Sequence, residues 1–202
     1  MARLYRRPWR IDVERRPGVR TLVPATRLAD LVVAGLMAGG APSPASVGII
    51  LTDDDELAEL NAAHLGHAGP TDVLSFPLLP PEAYPAHRGT HRAPSGPART
   101  ARPSFVLPPG RRPHLGDVVI SVERAQAQAD AGQGGQTSDV RWSPADELRL
   151  LVVHGILHVC GWDHAEPVEE AAMRALERRL LGGERPGERP GERRSGDRRS
   201  GD

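Results

Sequence analysis

The sequence predicts one α+β domain, close to α/β, with short strands mixed among about five helices. Three observations carry this expectation. Trp9, Ile11 and Val13 alternate with Arg10, Asp12 and Glu14, the period of a strand with one buried face. Two short apolar runs, Val47–Leu51 and Asp117–Val122, have the length of strands rather than helices. Longer stretches repeat apolar residues at intervals of three and four, the period of a helix packed on a core.

After the strand at Trp9–Glu14, a helix is expected over Thr21–Met37, with Leu28, Leu31, Val32 and Leu36 on one face. Leu31–Ala41 also has the look of a signal-peptide core, since it is apolar, follows arginines and ends in small residues. Asp30 beside it and the 30 residues before it argue against export. No apolar run approaches the ~20 residues needed to cross a bilayer. Val47–Leu51 is the second strand. Asp53 and Glu56 form a capping-box pattern that opens a helix carrying Leu57, Leu60 and His64 on one side. Asp72–Leu78 and Asp117–Val122 read as further strands, and a helix follows over Glu123–Ala131. Ser143, Pro144 and Asp146 are the N-cap, first position and box partner of the next helix, whose stripe is Leu148, Leu151, Val152 and Ile156. It must stop near Gly161. The last helix runs over Pro167–Leu181, with Glu169 and Glu170 at its start and Arg178 and Arg179 at its end, matching the helix dipole.

Composition bounds the rest. The chain has 202 residues, enough for one domain, but 22 Gly and 20 Pro predict a modest core with irregular additions. Two segments fit that description. Residues 80–114 are rich in proline, glycine and arginine and read as a disordered, unpacked insertion; residues 182–202 repeat Gly-Glu-Arg-Pro and Arg-Arg-Ser-Gly-Asp and read as a disordered low-complexity tail. The single domain then spans 1–181. Net charge is zero but unevenly spread. Residues 1–20 carry seven arginines against Asp12 and Glu14, and residues 80–114 carry six against Glu82, so each segment is +5. The tail is +1, which leaves −11 for the remainder, an acidic core with basic additions that can attract phosphate. Cys160 is the only cysteine, so no internal disulfide forms, which fits a reducing cytoplasm.

The chemistry concentrates in His154-Gly-Ile-Leu-His158-Val-Cys-Gly161-Trp-Asp-His164. Residues four apart share a helix face, so His154 and His158 can meet at one metal ion. Gly161 can take the left-handed conformation that ends the helix and returns His164 to the same point. Three imidazoles with a fourth position open describe a catalytic zinc site on a helix and its following turn, one ion per chain. Nickel, copper and iron also accept nitrogen ligands, so the donor set narrows the metal without choosing it. Asp163 adjoins His164 and is expected to orient an imidazole from behind. Cys160 points away from the two helical histidines and reads as a small buried apolar residue. Zinc peptidases of the H-E-x-x-H type carry a glutamate base after the first histidine; this chain has Gly155, which accepts no proton.

The histidine block resembles the signature of the YbeY family, bacterial endoribonucleases of ribosomal RNA maturation. Pro70-Thr71-Asp72-Val73-Leu74-Ser75-Phe76-Pro77, preceded by Leu60-Asn61, is similar to the family's second block, and Leu115-Gly116-Asp117 with Val118, Val119, Ile120 and Ser121 is similar to its third. The resemblance covers residues 9–181 apart from 80–114. It implies a four-stranded, mostly parallel sheet packed with helices. It implies a zinc-dependent, single-strand-specific endoribonuclease acting late in ribosomal RNA processing, at the 3′ end of 16S rRNA, and in ribosome quality control. Its partners would be ribosomal RNA, the small ribosomal subunit and ribosome-assembly proteins, with neither DNA nor membrane. Thr71, Asp72 and Ser75 are the substrate-binding residues it implies, although turn chemistry after Pro70 also accounts for Thr71 and Asp72. The sequence assigns no general base. One departure stands out. Where the family has an aromatic–arginine pair after Leu-Asn, this chain has His64-Leu65 and then Gly66. Leucine holds no phosphate, and His67 replaces the lost cation only when protonated. A ribosome-assembly binding factor with structural zinc, and a small metallopeptidase, are the competing readings.

Overall fold

In the computed structural model, which describes residues 1–90, 112–132 and 142–182, a five-stranded mixed sheet is packed with five helices. The strands are β1 (Ala2–Arg6), β2 (Trp9–Arg15), β3 (Ser46–Thr52), β4 (Val73–Pro77) and β5 (His114–Ser121), in the order β1-β2-β3-β5-β4. The central pairs β2/β3 and β3/β5 are parallel, and the edge pairs β1/β2 and β4/β5 are antiparallel. The four-stranded, mostly parallel sheet expected from the resemblance is thus corrected to five strands with two antiparallel edges. The added strand is β1, which the reading missed by starting at Trp9. Its pattern is also of period two, with Leu4 packed against the core and Arg3 and Tyr5 outward.

The helices are α1 (Ala25–Ala38), α2 (Asp54–Leu65), α3 (Val122–Asp130), α4 (Pro144–Val159) and α5 (Pro167–Leu181). Helix α1 starts four residues later than expected because Pro24 is its N-cap, and a proline pushes the residue before it out of the helical region. At α2, Asp53 accepts from the Glu56 amide at 3.0 Å, but Glu56 does not return the bond. Its carboxylate is drawn to Arg16, 2.6 Å from Nη2, so the expected capping box is a single cap. At α4 the box closes fully between Ser143 and Asp146.

Helices α1 and α4 cover one face of the sheet. Their core joins Leu28, Val32 and Leu36 to Leu148, Val152 and Ile156, over Ile11, Val47, Ile49, Val118 and Ile120. On the other face Leu57 of α2 packs with Leu74 and Val119. Helix α5 docks on the outside of α4 through Val153, Leu157, Met173 and Leu176.

The segment 80–114 was expected to be an unpacked insertion. Both of its ends are packed. Pro81–Ala83 forms a 3₁₀ turn, Tyr84 is buried, and Pro113 accepts from the Ser46 amide at the entry to β5. Tyr84 is an apolar anchor that a proline- and glycine-rich average conceals. Residues 91–111, with four of the six arginines of that segment, and 183–202, nearly all of the expected tail, lie outside the described residues. Among the described residues no helix is long and apolar enough to cross a membrane.

Helix α4 lies very close to the sheet at Gly155. A Cβ there would sit 2.3 Å from Val118 Cγ1 and 3.2 Å from Ser75 Oγ. The side chain missing at 155 is therefore the condition for seating the helix. Alanine is a better helix former than glycine by about 1 kcal/mol. Overpacking a filled core costs about 1–3 kcal/mol. Gly155→Ala should consequently lower stability in denaturant titration; a variant as stable as the parent would show that α4 can lift without cost.

Candidate metal centre

Burial of one stripe of α4 leaves the other for chemistry. Leu148, Leu151, Val152, Ile156 and Val159 are buried, while His154 and His158 sit on the half-exposed stripe. The helix ends at Cys160 as a left-handed glycine stop, with Gly161 at φ +83°. The Gly161 amide donates to the His158 carbonyl at 2.9 Å, and the Trp162 amide to the Leu157 carbonyl at 3.1 Å. This is the Schellman pattern, completed by Trp162 packing against the cluster that holds Leu157. A side chain at 161 would add roughly 1–2 kcal/mol of left-handed strain.

The turn brings the third imidazole back. One ligand nitrogen from each of His154, His158 and His164 lies within 4.8 Å of the others. The rings of His154 and His158 are nearly perpendicular, at 81°, with Nε2 atoms 3.0 Å apart. His154 Nδ1 donates to Glu177 Oε1 at 2.7 Å, and His158 Nδ1 donates to the Trp162 carbonyl at 2.8 Å. With each hydrogen on Nδ1, where an oxygen stands to accept it, both Nε2 lone pairs face the same point. A shared cation makes that arrangement favourable. Two nitrogens about 2.05 Å from one tetrahedral zinc would be about 3.3 Å apart, near the observed spacing. The donor set and its geometry therefore fit a metal ion held by His154, His158 and His164. Burial and the two neighbouring imidazoles push His158 down to about 4, which keeps it neutral, the form a metal needs.

The expected residues divide. The three histidines converge. Cys160 does not join them; it is buried against α1 beside Gly39, and burial pushes its thiol up to about 12. Asp163 is next to the site, but its carboxylate accepts from the His164 backbone amide at 2.7 Å rather than from a ring. The Ser75 hydroxyl donates to the Gly155 carbonyl at 3.1 Å, one residue from His154. Thr71 and Asp72 show the turn chemistry. Asp72 Oδ1 accepts from the Val73 amide at 2.8 Å and from Thr71 at 3.2 Å, while Oδ2 accepts from Gln128 of α3 at 2.9 Å. The sequence reading missed Glu177 as the group that orients His154. It also treated Glu169 only as a dipole partner, whereas Glu169 and Glu177 are 6% and 7% exposed. A signal existed: both acids fall on the stripe of Met173 and Leu176, and an acid on a buried stripe needs a partner.

Fold and site together define a small α+β protein with three imidazoles, on a helix and its stop, that could hold a metal ion. The family model described as Endoribonuclease YbeY matches residues 25–183. The chain is 36% identical to an Endoribonuclease YbeY of Roseiflexus castenholzii, over 85% of this chain and 91% of that one. It is 43% identical to one of Salinispora tropica, over 68% and 73%, and 34% identical to one of Dehalococcoides mccartyi, over 82% and 84%. The chain belongs to the Endoribonuclease YbeY family, a family of hydrolytic nucleases. The solution structure of TM1509 from Thermotoga maritima aligns over 89% of this chain and 99% of that one, with TM-score 0.45 and 19% identity.

Two expectations follow. Removing the carboxylate behind a ligating histidine costs about 10–100-fold in metal affinity. Glu177→Gln should weaken zinc binding by that order in chelator competition, and parental affinity would exclude Glu177 from the site. The second concerns acid. Unfolding returns His158 from about 4 to its ordinary 6.5, so between these values the unfolded chain binds a proton that the folded chain does not. Stability of the metal-free protein should then fall as pH drops through that window. Melting midpoints of chelated protein from pH 7 to 5 should decline more steeply for the parent than for His158→Gln; equal slopes would contradict the depressed value.

Proposed function

We propose that the chain is a zinc-dependent, single-strand-specific endoribonuclease. It acts late in ribosomal RNA processing, at the 3′ end of 16S rRNA, and in ribosome quality control. The observation that carries this reading is the pair of Nε2 atoms 3.0 Å apart beside His164, with both Nδ1 hydrogens already engaged. Zinc bound there would activate water for attack and polarise a phosphoryl oxygen.

The chain's own residues do the rest. Glu177 holds the His154 ring and strengthens it as a ligand. The Trp162 carbonyl does the same for His158. Asp163 fixes the backbone of His164. Thr71, Asp72 and Ser75 hold substrate in this reading, and the contact of Ser75 with the metal helix supports it for that residue. With seven aromatics in the chain, recognition rests on shape and phosphate rather than on base stacking. One nuclease domain over 1–181, the small ribosomal subunit as partner and a cytoplasmic setting complete the proposal. The lone buried thiol of Cys160 fits that setting.

One observation favours a second reading, a ribosome-assembly binding factor with structural zinc. Leu65, at the end of α2, is 57% exposed and offers no charge to a phosphate where the family has an arginine. A metallopeptidase is disfavoured because position 155 has no room for a glutamate base. The test is cleavage of a single-stranded ribosomal RNA fragment by zinc-loaded protein, by chelated protein and by His154→Ala. Only the first should cut. A zinc-loaded parent that binds small subunits without cutting would favour the second reading, and cleavage by His154→Ala would remove the metal from the mechanism.

A further inference from the structure

We infer that His87 is a positioning residue of the metal centre, acting from the strap Pro81–Thr90 on the loop that orients His158 and His164. The inference rests on the metal reading above and concerns a segment that the sequence pattern marked as an insertion.

The strap runs along the turn that ends α4. Pro81 and Tyr84 close over Gly161, where a Cβ would be 3.3 Å from Pro81 Cα and 3.6 Å from Tyr84 Cδ2. Farther along, His87 packs edge-on against Trp162, with ring centroids 3.8 Å apart and planes at 81°. Its Nε2 lies 3.0 Å from Glu169 Oε1, and both side chains are largely buried, at 12% and 7% exposure. Thr90 fixes the His87 ring from the other side: its hydroxyl meets Nδ1 and also accepts from the His87 amide at 3.1 Å.

Two short routes lead from His87 to metal ligands. The first passes through Trp162, whose ring His87 touches and whose carbonyl holds His158 Nδ1. The second passes through Glu169. The same Oε1 that meets His87 accepts from the Asp163 amide at 2.9 Å, and Asp163 in turn accepts from the His164 amide. His164 is itself exposed, so the backbone of this loop, rather than packing of its ring, determines where the ring stands. A buried acid such as Glu169 requires its partners. Without His87 it is free to move and to release the Asp163 amide. His87 touches neither metal nor substrate; it sets the loop that does.

The test measures zinc affinity of the full folded chain by competition with a chromophoric chelator, together with the melting midpoint of chelated protein. Outer groups that orient metal ligands typically change affinity by about 10–100-fold. Acting at one remove, His87→Ala should weaken zinc binding about tenfold. His87→Gln, whose side-chain amide keeps a polar N–H beside Glu169, should recover most of that loss. Thr90→Val keeps the shape of the strap while freeing the His87 ring, and should weaken binding in the same direction; it decides the matter if His87→Ala fails to fold. Parental affinity in His87→Ala, or in Thr90→Val when His87→Ala does not fold, would overturn the inference even if midpoints fall, because a strap that only adds stability does not alter the affinity of folded protein. Equal loss in His87→Ala and His87→Gln would overturn it as well. Failure of the parent to bind zinc would refute the metal reading instead, and this inference with it.

Discussion

Two imidazole lone pairs aimed at each other across 3.0 Å repel unless a positive charge lies between them. The rest of the centre holds that opposition in place. Glu177 comes from α5, the Trp162 carbonyl from the helix stop, and each removes one freedom of a ring by accepting its Nδ1 hydrogen. The contact to His158 would not be made if α4 continued past Cys160, because the carbonyl that holds it is presented only after the chain turns at Gly161. The stop and the ligand geometry therefore share two residues, His158 and Trp162. Helix capping, usually a matter of stability alone, sets the donor geometry in this protein.

The sheet contributes through distance. Val118 and Ser75 leave no volume for a side chain at 155, so α4 rests with its backbone nearly on β4 and β5. With Gly155 on the sheet and Val153 and Leu157 on α5, His154 and His158 are left on the half-exposed flank of the helix between the two. That seating also separates this centre from peptidase sites with the same ligand spacing. The position that would carry their base is directed into the core, where an ionised group would be costly.

Much of this was legible in the sequence, for physical reasons that can be named. Spacings of four and six around a glycine, and the Ser143–Asp146 box, are local features, and they predicted α4, its end and the convergence of the three histidines. Strand and helix periods carried the fold class and the resemblance a four-stranded sheet, but neither gave β1, whose alternation is interrupted by the turn at Arg7 and Pro8. What the reading lost was long-range. Glu177 lies 23 residues from His154, and no periodicity says which helix docks on which. The strap was lost to averaging, since Tyr84 and His87 are two anchoring residues in a stretch dominated by proline, glycine and arginine. Asp163 was assigned to the right place with the wrong partner, because adjacency in sequence does not separate a bond to a ring from a bond to the backbone.

That 23-residue separation also has a meaning in time. During synthesis the two helical ligands emerge before the carboxylate that orients the first of them. At the ~5–20 residues per second of translation, Glu177 follows His154 by about 1–5 s. Docking of α5 requires Met173 and Leu176 as well, so the nascent chain presents loosely held imidazoles until its last described helix has been made. The imidazoles are therefore fully oriented only once α5 has been made and has docked.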